Sequence, residues 1–123
     1  MLVGAYTDRY RAIFSLGPAA AAWQYGGNFI YCDPDDEEEI ALRSPLKWLH
    51  CIESPMYVLE GTNGGNYETL KAMEKASSNS NIRFLGVEGH DHFSLIAPLC
   101  EKLAEQILQG EIKLTAQTVL DLK

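Results

Sequence analysis

The run Ile82-Arg83-Phe84-Leu85-Gly86-Val87-Glu88-Gly89-His90-Asp91-His92-Phe93-Ser94 decides the reading of this chain. A short β-branched and aromatic stretch ends in glycine and is followed at once by His90, Asp91 and His92, after which a helical pattern begins. The segment therefore predicts a strand, a loop carrying a candidate general base, and a helix. Imidazole suits that role because its unperturbed pKa of about 6.5 lets it exchange protons near neutral pH. The nucleophile that such a base serves is a serine on a Gly-x-Ser-x-Gly turn, and no such pentapeptide occurs between Met1 and Lys123.

Working outward, two further apolar runs close on turn signals in the same way. Residues 11–16 precede Gly17-Pro18, and residues 56–59 precede Glu60-Gly61, as residues 82–87 precede Glu88-Gly89. Continuous apolarity predicts parallel strands covered on both faces. Between the second and third runs, Tyr67, Leu70, Met73 and Ala76 recur at helical spacing, which completes a β-α-β unit. Ser44-Pro45 reads as a helix start, with serine as N-cap and proline in the first helical position. A last helix is expected over residues 94–109, where Leu95, Leu99, Leu103 and Ile107 lie four apart, with Pro98 in its first turn and Gly110 as terminator.

Residues 19–43 fit neither period: four alanines, Gly26-Gly27 and an acidic run interrupt them, and a long, partly helical connection is expected. Six of the seven residues from 33 to 39 are acidic, a composition that suits the positive end of a short helix through residues 40–43. The first ten residues read as the end of an amphipathic helix already under way, which predicts a missing N-terminal half. The domain is expected to span residues 1–110. The tail, residues 111–123, carries Ile112, Leu114, Val119, Leu120 and Leu122 and is too apolar to be a free linker, so it should pack on this domain or a neighbour.

Composition narrows the function classes. At 123 residues and 46% hydrophobic content the chain is sized for a single soluble domain. A formal charge of -7 disfavours nucleic acid and anionic lipid as partners. No apolar run approaches the roughly 20 residues of a membrane helix, and no leader pattern opens the chain, so a cytoplasmic protein is expected. Cys32, Cys51 and Cys100 are odd in number and lack Cys-x-x-Cys pairs, which predicts three reduced, buried thiols. No cofactor is expected. A metal site at His90 and His92 with Asp91 or Glu88 lacks a third ligand placed by sequence.

Residues that follow separate parallel strands converge beyond the strands' carboxyl ends. Here those are Glu60, Asn63 and Asn66 after the second run, and His90, Asp91 and His92 after the third. An acid followed in sequence by a histidine is the order found in serine hydrolases with a nucleophile elbow. Asp8-Arg9-Tyr10-Arg11-Ala12, Phe14-Ser15-Leu16-Gly17-Pro18, Ser44-Pro45-Leu46, Leu59-Glu60-Gly61 and Gly89-His90-Asp91-His92-Phe93-Ser94 together resemble the C-terminal half of an α/β-hydrolase of the serine esterase, lipase or peptidase type. The resemblance implies a partial α/β-hydrolase fold, a three-stranded parallel sheet flanked by helices, with His92 as catalytic base and His90 as a loop residue.

The chain departs from the family pattern in two ways. Neither nucleophile elbow nor oxyanion loop is present, and Ser15 is no substitute because Ile13 stands where the elbow requires glycine. The usual acid position, three residues beyond the glycine closing the penultimate strand, falls on Gly64. Glu60 is then one candidate acid, and Asp33 or Asp35 another. The expectation is a hydrolase piece inactive alone, acting on a small-molecule or peptide substrate only when an N-terminal half completes it. The alternative is a noncatalytic assembly or binding module. A strand left unpaired at residues 11–16 predicts a homo-oligomer.

Overall fold

The computed structural model describes residues 1–27, 30 and 32–122; Asn28, Phe29 and Tyr31 of the long connection and Lys123 of the tail lie outside the described residues. The architecture is mixed α/β: a three-stranded sheet of β1 (Ile13–Leu16), β2 (Met56–Gly61) and β3 (Ile82–Val87), all parallel, in the order β1-β2-β3. The helices are α1 (Leu2–Tyr6), α2 (Glu37–Leu42), α3 (Tyr67–Ala76), α4 (Ile96–Leu108) and α5 (Ala116–Leu120), with a 3-10 helix over Pro45–Cys51.

Side chains alternate across a strand, so β2 feeds two separate cores. Tyr57 and Leu59 face Leu95, Leu99 and Leu103 at and within α4, together with Leu114 and Val119 of the tail. Met56 and Val58 face Leu70 and Met73 of α3 and Leu49 and Ile52 at the end of the 3-10 helix. Every residue of β2 is buried, as continuous apolarity requires of a central parallel strand. The flanking strands are only partly covered.

The predicted helix over residues 67–76 coincides with α3, and Pro98 lies in the first turn of α4, which ends near Gly110 at φ +79°. The tail is part of the fold: Leu114 is fully buried, and α5 is capped by Thr115, whose hydroxyl accepts from the Thr118 amide. The acidic run begins α2 a turn earlier than expected, because the Asp36 carboxylate accepts from the amides of Glu38 and Glu39.

Two expectations need correction. Ser44 precedes Pro45 as expected, but its hydroxyl makes no cap; it donates to the Ile40 carbonyl and accepts from the Ala22 amide, and the turn that follows is 3-10 rather than α. The thiols are free but not buried: Cys32 and Cys51 are half-buried, and Cys100, one position past Leu99 on α4, points outward. No helix among the described residues is long and apolar enough to cross a membrane.

Candidate active site

Glu60 occupies the penultimate position of β2, in register with Gly86 of β3. Alternation along β2 aims its side chain to the face that carries Met56 and Val58, beside the start of α3. The residue is completely buried. A buried carboxylate must be compensated by hydrogen bonds or charge. The Gly61 amide donates to Oε1 at 3.0 Å and the Asn66 amide donates to Oε2 at 3.3 Å. The positive end of the α3 dipole favours negative charge at the same place.

The third partner is His92. Its Nδ1 lies 3.1 Å from Glu60 Oε2 and 3.3 Å from Oε1. An ionised carboxylate only accepts, so the contact selects the tautomer with the proton on Nδ1 and leaves the lone pair on Nε2. The imidazole is about one-third exposed, with 32% of its side chain accessible, whereas the acid beneath it has no exposure. A buried acid under a partly open imidazole is the arrangement in which one ring nitrogen is held and the other is presented.

Local loop chemistry turns His92 inward. Asp91 Oδ1 accepts from the amides of Phe93 and Ser94 at 2.9 and 2.8 Å, while the Asp91 amide donates to Ser94 Oγ at 3.0 Å. These donors, those of Ser94 foremost, hold the Asp91 carboxyl below its ordinary value, with the nearby His90 adding to the effect. The loop is anchored to the connection after β2 through the His90 carbonyl, which accepts from the Asn63 amide at 3.0 Å. Gly61 permits that approach, since a Cβ there would overlap the His90 carbonyl. Phe93 packs edge-on against the imidazole at 5.0 Å between centroids and is itself largely exposed.

Two glycines form the walls of the slot. Gly17, at φ +63°, brings its α-carbon against the imidazole; a Cβ there would overlap His92 Cε1 and approach Glu60 Oε2 to 3.1 Å. Gly65, at φ +62°, lies against the pair so that a Cβ would come within 3.3 Å of both the Glu60 carboxyl carbon and His92 Cβ. Both conformations favour glycine. Sequence reading took Gly17 only as a turn signal and gave Gly65 no role; the Gly64-Gly65 pair in the short connection between β2 and α3 was the available signal.

The site brings together Glu60 and His92. Asp33 and Asp35, the other candidate acids, sit in an exposed turn in which Asp33 Oδ1 accepts from the Asp35 amide, and neither bonds to His92. His90 contributes its carbonyl, and its Nδ1 is buried with no hydrogen-bond partner among the described residues. No group of three or more His, Cys, Asp or Glu side chains is placed to hold a metal among the described residues. A cavity of about 990 Å³ is lined by Val3, Tyr6, Arg9, Tyr10, Cys51 and Glu53, beyond the amino ends of β1 and β2 and so away from the pair. A second, apolar cavity of about 650 Å³ is lined by Ala20, Trp23, Ile40 and Leu46 beside the connection that follows β1.

Comparison with protein-family models, with curated proteins and with solved structures returned no match to this chain.

Proposed function

We propose that this chain carries the acid and base of a serine-hydrolase-type site, in which Glu60 orients His92 and His92 accepts the proton of a serine hydroxyl brought to Nε2 by another polypeptide segment. The observation that carries this reading is the contact between a fully buried carboxylate and Nδ1 of a partly open imidazole at the carboxyl ends of parallel strands. The resemblance of Leu59-Glu60-Gly61 and of residues 89–94 to the second half of an α/β-hydrolase supports it. The serine oxygen would attack an ester or amide carbonyl as its proton passes to Nε2. The imidazolium, steadied by Glu60, would then return that proton to the departing alkoxide or amine, and water would release the acyl group by the same route.

A serine-directed fluorophosphonate tests the proposal. The chain alone should not label, and the chain combined with the polypeptide encoded immediately upstream should label on that partner's serine. His92→Ala in the combined sample should abolish labelling and turnover. Labelling that survives His92→Ala contradicts the role given to His92.

A noncatalytic assembly module is the second reading, and the edge of β1 favours it. The amides of Ile13 and Gly17 donate toward β2, to the carbonyls of Pro55 and Leu59, so those of Phe14 and Leu16 face the other way. β1 pairs with β2 alone among the described residues. Self-pairing at that edge would give a homo-oligomer. Sedimentation at micromolar concentration separates the cases: a species heavier than the 13.7 kDa chain supports assembly, and a monodisperse monomer opposes it.

A further inference from the structure

The Glu60–His92 pair needs more than its own contact to stay aligned, because the loops that carry its walls come from three separate connections. One side chain ties two of those connections together, the one after β1 and the one after β2. Asn66 donates from Nδ2 to the Gly17 carbonyl at 3.2 Å and to the Tyr25 hydroxyl oxygen at 2.6 Å. Its Oδ1 accepts from Gln24 Nε2 at 3.4 Å, and its main-chain amide is the donor that reaches Glu60 Oε2.

The orientation of this carboxamide is fixed by its partners. Gln24 Oε1 accepts from the Ala20 amide at 2.7 Å, so Gln24 presents its NH2 to Asn66 and to Thr69 Oγ1. Asn66 must then offer its oxygen to Gln24 and its NH2 to the Gly17 carbonyl, which can only accept. One residue thereby grips the acid through its backbone and the glycine wall behind the imidazole through its side chain.

We infer that Asn66 is a positioning residue for the Glu60–His92 pair, locking the connection after β1 against the connection after β2 so that the imidazole stays on the carboxylate. The inference deepens the function proposed above and rests on it. Asn66 touches neither reacting atom and acts through Glu60 and Gly17. The ionisable partners bonded to His92 and to Asn66 among the described residues are Glu60 and Tyr25, and replacing Asn66 by a neutral residue changes neither.

The test reads the His92 Nδ1 proton by NMR in the intact chain, with its exchange against solvent compared with that of the β2 amides. Loosening by about one net hydrogen bond corresponds to exchange faster by roughly five- to tenfold. Asn66→Ala should speed exchange at Nδ1 by that factor while the amides of Val58 and Leu59 keep their protection. Tyr25→Phe, which removes one acceptor of Asn66 Nδ2 and leaves the fold's core untouched, should give a smaller effect of the same sign; it carries the test if Asn66→Ala does not fold. Unchanged exchange in the folded Asn66 variant, or in Tyr25→Phe alone, with Glu60→Gln altering the His92 signals, overturns the role of Asn66 and leaves the pair standing. His92 signals indifferent to Glu60→Gln overturn both the pair and the inference built on it.

Discussion

Glu60 and His92 are 32 residues apart in sequence and meet at 3.1 Å, because β2 and β3 are adjacent parallel strands whose carboxyl ends deliver both residues to one place. The acid has no solvent exposure and the base has some, so the pair is anchored from below and open above. That burial of the acid separates this contact from a surface ion pair, which is worth little and screened by salt.

Gly17→Ala tests how tightly the slot is built. The substitution places a Cβ into the imidazole and asks an L-residue to adopt φ +63°. Left-handed backbone costs a non-glycine residue roughly 1–2 kcal/mol. Chemical denaturation should show a loss of that order, and the His92 ring signals should shift as the ring is displaced. A variant with unchanged stability and unchanged His92 signals would show that the wall is not where the structure has it.

The loop bearing His92 should respond to acid through Asp91. Its carboxyl is held below the ordinary 3.8 by the Ser94 and Phe93 donors. A depressed carboxyl contributes order that is complete above its ordinary value and is lost as pH falls through the depressed one. Amide signals of Phe93 and Ser94 are therefore expected to show a transition below about pH 4, the range in which the Asp91 carboxyl takes up its proton. In Asp91→Asn the same signals should show no such transition, since the amide oxygen still accepts but does not titrate.

The tail is expected to contribute as much as any core element. Leu114 is fully buried against Leu99 and Leu103, so Leu114→Ala should cost about 2–5 kcal/mol by denaturant titration. Leu108, at 88% exposure on α4, provides the contrast: Leu108→Ala should stay within about 0.5 kcal/mol. Equal effects for the two would remove the tail from the core.

Much of the sheet was legible because it depends on local pattern. Three apolar runs closed by glycine placed β1, β2 and β3, and helical spacing from Tyr67 to Ala76 placed α3. What pattern reading missed follows from contacts between distant loops. Glu60 reads as a turn residue after an apolar run, yet β2 continues through it to Gly61 because its carboxylate finds amide and imidazole partners. Ser44-Pro45 carries a helix-start signature, yet the serine hydroxyl is drawn to Ile40 and Ala22, partners that only the packed connection supplies. Cys100 was expected inside because the three cysteines form no Cys-x-x-Cys pair and read as reduced, buried thiols, whereas its place beside Leu99 on α4 sends it outward. Asn66 was seen at a strand end, but its links to Gly17, Gln24 and Tyr25 span 41 to 49 positions and leave no local trace.

The most direct measurement is the tautomer of His92 read from its ring nitrogen shifts, at a pH where the imidazole is neutral, in the native chain and in Glu60→Gln. The expected result is a protonated Nδ1 and a free lone pair on Nε2 in the native chain, with that preference weakened in Glu60→Gln. A proton on Nε2 in the native chain, or a pattern that Glu60→Gln leaves unchanged, would contradict the account.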